Sequence, residues 1–325
     1  MEPRNQAGLP ATVGANPGAP RTVFERLRDS THASIHIHAT YRHSNKICEG
    51  LTMSDMEPRA YYDEFGENEW ERLDRDPVTR MEFENTTDYL ETHLPESGHV
   101  LDVGGAAGRY ACWLAERGYD VTLVDVSAKQ VELARENADK RGLEAQISAE
   151  QGDVRDLRFE ADRFDAVCCL GGPLSHVVDD AERATAMAEL RRVASTDSPV
   201  FVSVIGRFAA IRDILKFTLD ASHRLLAPIA EDGKYTEARV EEYSDGEGWA
   251  ECHFFRADEF ESELESAGFE VEQLVGLEGV ANRMKTELEE ADEEAVESVR
   301  EVVRMLREDR TVVDFSEHIL AVCRN

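Results

Sequence analysis

From residue 96 to 206 the chain alternates short apolar runs with longer stretches whose apolar positions recur every three or four residues. Val100, Leu101 and Val103 make the first run, which stops at Gly104-Gly105-Ala106-Ala107-Gly108. Ala111, Leu114 and Ala115 then share one helical face, and Val121 to Val124 form a second run ending on Asp125. Strand, glycine turn, helix and strand make a βαβ unit. Val131, Leu133 and Ala134 predict the next helix, capped near Gly142, and a short strand follows around Ile147. Phe164 to Leu170 is almost continuously apolar, as in a strand buried on both faces of a parallel sheet, and it ends at Gly171-Gly172-Pro173. A helix at roughly 180–194 leads to a fifth strand, Val200 to Ile205. Residues of about 207–252 show no sheet pattern. A helix near Ala257 to Ala267, a strand at Phe269 to Val275, an acidic helical stretch at roughly 285–308 and a last strand at His318 to Val322 complete the chain.

The first turn carries the chemistry. Glycines let the backbone approach a ligand closely, and an acid ending the second strand stands where a ribose diol is held. A pyrophosphate site reads G-x-G-x-x-G and meets its two phosphates with backbone amides and a helix N-terminus. Here a carboxylate, Asp102, stands just before the loop. It repels pyrophosphate and suits a ligand bearing an ammonium and a sulfonium. Asp102-x-Gly104-x-Ala106-x-Gly108 followed by Asp125 resembles the first motif of class I S-adenosylmethionine-dependent methyltransferases. Ala106 departs from the more usual middle glycine, and its methyl group would crowd a residue of positive φ.

The resemblance covers roughly residues 60–325, with its ligand motifs in 100–176. It implies an α/β, Rossmann-like, seven-stranded, mostly parallel sheet with helices on both faces, the last strand antiparallel, and helical insertions. It implies S-adenosylmethionine as methyl donor, held by Asp102, Gly104, Gly105, Ala106, Gly108, Asp125, Val126, Asp153, Val154 and Leu170. Among these, Asp153 and Val154 match the positions that take the adenine ring. Tyr61 and Tyr62 precede a helical segment, Glu67 to Leu73, that can cross the pocket, and Tyr62 is the aromatic assigned to the cofactor. The chain then divides into an N-terminal segment (1–52), a helical cap (53–95), a cofactor-binding core (96–206), an insertion or lid (207–256) and the rest of the sheet with its acidic helical insertion (257–325).

Composition sets the surroundings. The formal charge is −31, from 67 acids and 36 bases, of which only six are lysine. Acid excess with few lysines points to a halophilic cytoplasm at molar salt, where the Debye length is roughly 3 Å. Acidity there is a weaker argument against nucleic acid than usual. Six cysteines without paired spacings indicate a reduced compartment. No apolar run reaches the roughly 18 residues of a membrane span. Residues 1–52 differ, with six bases against four acids and four of the ten histidines, His32, His36, His38 and His43. With Cys48 they show no zinc-like C-x-x-C pairing, so no metal is expected. The segment reads as disordered, or as an over-extended frame upstream of Met53 or Met56.

Methyl transfer needs a base only when the acceptor keeps its proton at neutral pH. His176, just past the fourth strand, is the best-placed candidate, and His253 is a weaker second. Cys168 and Cys169 lie inside a strand and read as core. No Asn/Asp-Pro-Pro-Tyr/Phe follows the fourth strand, no Pro-Cys nucleophile is present, and no basic stripe marks an RNA surface. A small-molecule acceptor is therefore expected, with O, N, S and C all open as the acceptor atom. Phe208, Phe217, Tyr235, Tyr243 and Trp249 are available in the insertion to line its pocket. The alternatives are an RNA methyltransferase, a NAD-binding oxidoreductase and a non-catalytic cofactor-binding regulator. The apolar face of the acidic helix, including Val299 and Val303, is expected on the chain's own sheet, with the oligomeric state open.

Overall fold

The computed structural model describes residues 56–246 and 248–325. The expectations for residues 1–52 lie outside that range. Three helices lead in: α1 (Pro58–Phe65), α2 (Asn68–Arg72) and α3 (Pro77–His93). The core follows as β1 (His99–Val103), α4 (Arg109–Ala115), β2 (Asp120–Asp125), α5 (Ala128–Arg141), β3 (Ile147–Gln151), β4 (Ala166–Cys169), α6 (Asp180–Val193) and β5 (Pro199–Ile205). After it come α7 (Arg207–Asp213), a π-helical turn (Ile214–Thr218), α8 (Leu219–Ser222), α9 (Leu226–Asp232), β6 (Lys234–Tyr235), α10 (Glu237–Tyr243) and β7 (Cys252–His253). The chain ends with α11 (Ala257–Ser266), β8 (Glu270–Gly276), α12 (Lys285–Glu289), α13 (Glu293–Leu306), α14 (Arg310–Phe315) and β9 (His318–Arg324).

Seven strands form one sheet in the order β3-β2-β1-β4-β5-β9-β8. The first five are mutually parallel, and β9 runs antiparallel to both β5 and β8. This is the seven-stranded, mostly parallel sheet with an antiparallel last strand that the resemblance implies. The order reverses between β1 and β4, so the carboxyl ends of these strands open a crevice where ligands of open α/β sheets bind. Apolar side chains fill both faces. Leu90, Val100, Leu114 and Leu123 pack on one, and Leu101, Phe164, Met187 and Phe260 on the other. Cys168 and Cys169 are fully buried in β4, and burial pushes both thiols above their ordinary range.

Local chemistry sets the helix limits. Asp76 Oδ1 accepts the amides of Val78 and Thr79 at 3.0 Å each, with Pro77 opening α3. Ser127 caps α5, which stops at left-handed Gly142. Two expectations change in detail. The acidic stretch is two helices, because residues 290–292 break it and Asp292 caps α13 anew. The apolar face of α13 is covered by α3 rather than by the sheet, with Val296, Val299 and Val303 clustered against Val78 and Met81.

Candidate active site

The loop after β1, the end of β2, the loop after β4 and helix α1 meet at the carboxyl edge of the parallel strands. The first is the glycine loop. Asp102 is 1 % exposed, and neither of its carboxylate oxygens accepts a hydrogen bond of normal geometry. Burial, with the nearby charge of Asp125, pushes its pKa up to about 7, and only the Ala111 amide pulls the other way. A buried, unpartnered carboxyl is costly and is repaid when a cationic or hydrogen-bonding group reaches it. A Cβ on Gly105 would lie 2.6 Å from Asp102 Oδ2, and one on Gly104 would overlap Pro173. The loop is glycine there because the acid and the opposing loop leave no room.

Asp125 ends β2 and holds the loop closed. Its Oδ2 accepts the Ala106 amide at 2.9 Å and its Oδ1 accepts the Ser127 amide at 2.8 Å. Each oxygen keeps a second lone pair, as a ligand diol would need. Burial raises this acid too, to about 6, against those two amide bonds. Ala106 has φ +46°. The crowding expected of its methyl group is therefore real.

Residues 100–197 match the model of a methyltransferase domain. Over that stretch the chain is similar to methyltransferase domains. Among curated proteins it is 34 % identical over 140 residues to the methyltransferase GfsG of Streptomyces halstedii, covering 42 % of this chain and 46 % of that one. It is 33 % identical over 144 residues to a glycine/sarcosine N-methyltransferase of Parasynechococcus marenigrum, covering 43 % and 49 %. It is 33 % identical over 125 residues to a ubiquinone biosynthesis O-methyltransferase of Xylella fastidiosa, covering 38 % and 48 %. The chain spans just under half the length of these relatives. In fold it is similar to an S-adenosylmethionine-dependent methyltransferase of Methanosarcina mazei, with a TM-score of 0.51 at 20 % identity over 73 % of this chain and 96 % of the other. It is also similar to a Haloferax volcanii methyltransferase solved in complex with the Trm112 activator, with a TM-score of 0.50 at 17 % identity over 81 % and 96 %.

Within the matched stretch the loop after β4 turns through two left-handed glycines, Gly171 (φ +80°) and Gly172 (φ +91°), and a 3₁₀ turn carries His176 toward α1. The structure joins two candidates that sequence treated separately. Tyr62 Oη lies 3.0 Å from His176 Nε2, and His176 Nδ1 lies 2.8 Å from the Glu251 carbonyl. A carbonyl only accepts, so Nδ1 carries the proton and Nε2 accepts from the Tyr62 hydroxyl. Burial lowers the His176 pKa, partly offset by the Glu251 bond, which keeps the ring neutral. Trp249 packs edge-on against the imidazole at 5.4 Å. His253, by contrast, is 1 % exposed in the small hairpin and bonded to Glu259 at 2.9 Å, so it is a core residue.

Asp153 stands beyond β3 with its carboxylate engaged by Arg155, which holds its pKa down. Val154 is half-buried beside it, Val126 is exposed next to Asp125, and Leu170 is buried at the end of β4. Helix α1 buries no residue fully and is tied to α5 by polar contacts. Gln130 Nε2 donates to the Tyr62 and Gly66 carbonyls at 2.9 and 3.1 Å, and Asp63 Oδ1 accepts from Ser127 Oγ at 2.5 Å. The sequence did not reveal these ties, nor the linked charges of Arg72, Glu69, Glu82 and His318. Each lies in a segment rich in charges where nothing local separates a buried ion from a solvated one.

Proposed function

We propose that this protein transfers a methyl group from S-adenosylmethionine to a small-molecule acceptor in a halophilic cytoplasm. The observation that carries it is Asp102, a buried carboxyl that accepts no hydrogen bond of normal geometry, beside Gly104 and Gly105, where a Cβ would collide with Pro173 or with Asp102 itself. Such a carboxyl suits a positively charged ligand group and disfavours pyrophosphate. The named relatives, methyltransferases of glycine or sarcosine and of ubiquinone precursors among them, support the same chemistry. Among the described residues no helix is long and apolar enough to cross a membrane.

Asp102 with the amides of the Gly104–Gly108 loop would hold the methionine end, Asp125 and Val126 the ribose, Asp153 and Val154 the adenine, and Leu170 and Tyr62 the region of the sulfonium. When bound, the cofactor supplies an electrophilic methyl group that needs no further activation. The protein's part is to align the acceptor and exclude water, worth on the order of 7–11 kcal/mol. Tyr62 closes the cleft, and neutral His176 takes a proton from an acceptor that still carries one, across the Tyr62 hydroxyl.

Calorimetric titration of S-adenosylmethionine, S-adenosylhomocysteine and NADH at molar KCl tests the proposal, with Asp125→Ala as control. Both adenosyl compounds should bind, and the variant should weaken them by a factor on the order of ten or more. Binding of NADH alone would make the protein an oxidoreductase. Tight, salt-resistant binding of structured RNA would move the acceptor to RNA.

A further inference from the structure

Beside Gly171 and Tyr62 lies a group of charges that the methyl-donor site does not use. Arg72 ends α2. Its Nε donates to Glu69 Oε1 at 2.9 Å, and Nη1 and Nη2 donate to the two oxygens of Glu82 at 2.6 and 3.1 Å. Glu82 Oε2 lies 3.6 Å from His318 Nδ1, which is bonded to Glu278 at 2.6 Å. Arg72 therefore spends three of its five N–H hydrogens, and its side chain keeps 17 % of its surface open. Glu69 spends one oxygen on it. A Cβ on Gly171 would sit 3.4 Å from Arg72 Nη2, so the guanidinium borders the loop that leads to His176. The Tyr62 phenol feels the same groups: burial and then the Glu69 charge raise its pKa, and Arg72 opposes them.

This arrangement selects by charge. A flat apolar ring would dehydrate Arg72 and Glu69 and return nothing for it. A plain anion meets a guanidinium that already holds two carboxylates. A zwitterion matches both needs, offering a carboxylate to the remaining guanidinium hydrogens and an ammonium to the second oxygen of Glu69.

We propose that the acceptor is a small zwitterion, an amine and a carboxylate one or two carbons apart, with Arg72 holding the carboxylate and Glu69 steering the amine toward Tyr62 and His176. This rests on the methyl-transfer function above. The amine attacks only as the free base. Its ammonium proton passes to His176 Nε2 across the Tyr62 hydroxyl, the nitrogen gains the methyl group, and sulfur keeps the electron pair of the broken bond.

Calorimetry with glycine, sarcosine, acetate, methylamine and catechol, each titrated with and without S-adenosylhomocysteine at molar KCl, is the test. Glycine or sarcosine should bind saturably and better than acetate or methylamine. Arg72→Gln should weaken that binding at least roughly tenfold, about 1.4 kcal/mol, while the affinity for S-adenosylhomocysteine holds. Arg72→Lys, which keeps the charge but not the planar fork, should lie between the two. Retained S-adenosylhomocysteine binding shows that each variant is folded. Catechol binding in place of the amino acids, no binding of either amino acid, or an unchanged glycine affinity in Arg72→Gln would each overturn the proposal. Failure of S-adenosylhomocysteine alone to bind would instead count against the methyl-donor site.

Discussion

Ala106 shows what one methyl group costs. At φ +46° it occupies a left-handed conformation that disfavours every residue with a Cβ, by about 1–2 kcal/mol. Its amide is the one that Asp125 Oδ2 accepts, so the loop is held in that conformation by the acid that ends β2. Replacing it by glycine removes the strain and gives back about 0.4–1 kcal/mol through the freer unfolded chain. The balance favours Ala106→Gly by about 0.5–1 kcal/mol, or a rise in Tm of about 1–3 °C. A thermal melt at molar KCl reads it, and a lower Tm would show that the turn carries no strain.

At the scale of elements, the parallel core was legible because each strand and helix there is written in its own apolar period. Val100 to Val103, Val121 to Val124 and Val200 to Ile205 are all strands, and Gly142 ends the helix it was expected to end. The insertion after β5 was not legible, since α7 to α10 are short helices that pack chiefly on one another, around Ile214, Leu225, Ile229 and Val240. Nor was the charged start of β9. His318 shares Glu278 and Glu82 with the end of β8 and with α3, contacts 40 and 236 positions away that no local pattern announces. Those carboxylates raise the His318 pKa to about 9 against the cost of burial, from an unfolded value of about 6.5. Because the folded value is the higher one, the stabilisation is full below pH 6.5 and is lost as pH rises through about 9. The loss amounts to roughly 3 kcal/mol. Urea midpoints at neutral and alkaline pH should fall accordingly in the native protein. In His318→Gln, already destabilised at neutral pH, they should change much less, and an equally steep fall in the variant would remove His318 from the account.

For the whole molecule the question is which electrostatic effect wins as salt rises. The chain carries many surface ion pairs, such as Arg117 with Glu91 and Lys140 with Glu136, and salt weakens each of them. An exposed pair contributes only about 0–1 kcal/mol to begin with. Against this, 67 acids face 36 bases, so that even complete pairing would leave 31 carboxylates without a counter-charge. Their mutual repulsion opposes the compact state. Salt shortens the Debye length from about 10 Å at 0.1 M to about 3 Å at 1 M, below the spacing of most surface charges. The repulsive sum is long-ranged and disappears first, whereas ion pairs in contact survive in part. Buried pairs such as Arg72 with Glu82 are screened least. Stability should therefore rise with KCl, most steeply below about 1 M, and flatten above it. Potassium and sodium chloride should act alike, because screening depends on ionic strength and not on a specific cation site. Thermal melts across that series decide it: a Tm that is highest at low salt would mean that attraction between neighbours, not repulsion across the surface, governs this fold.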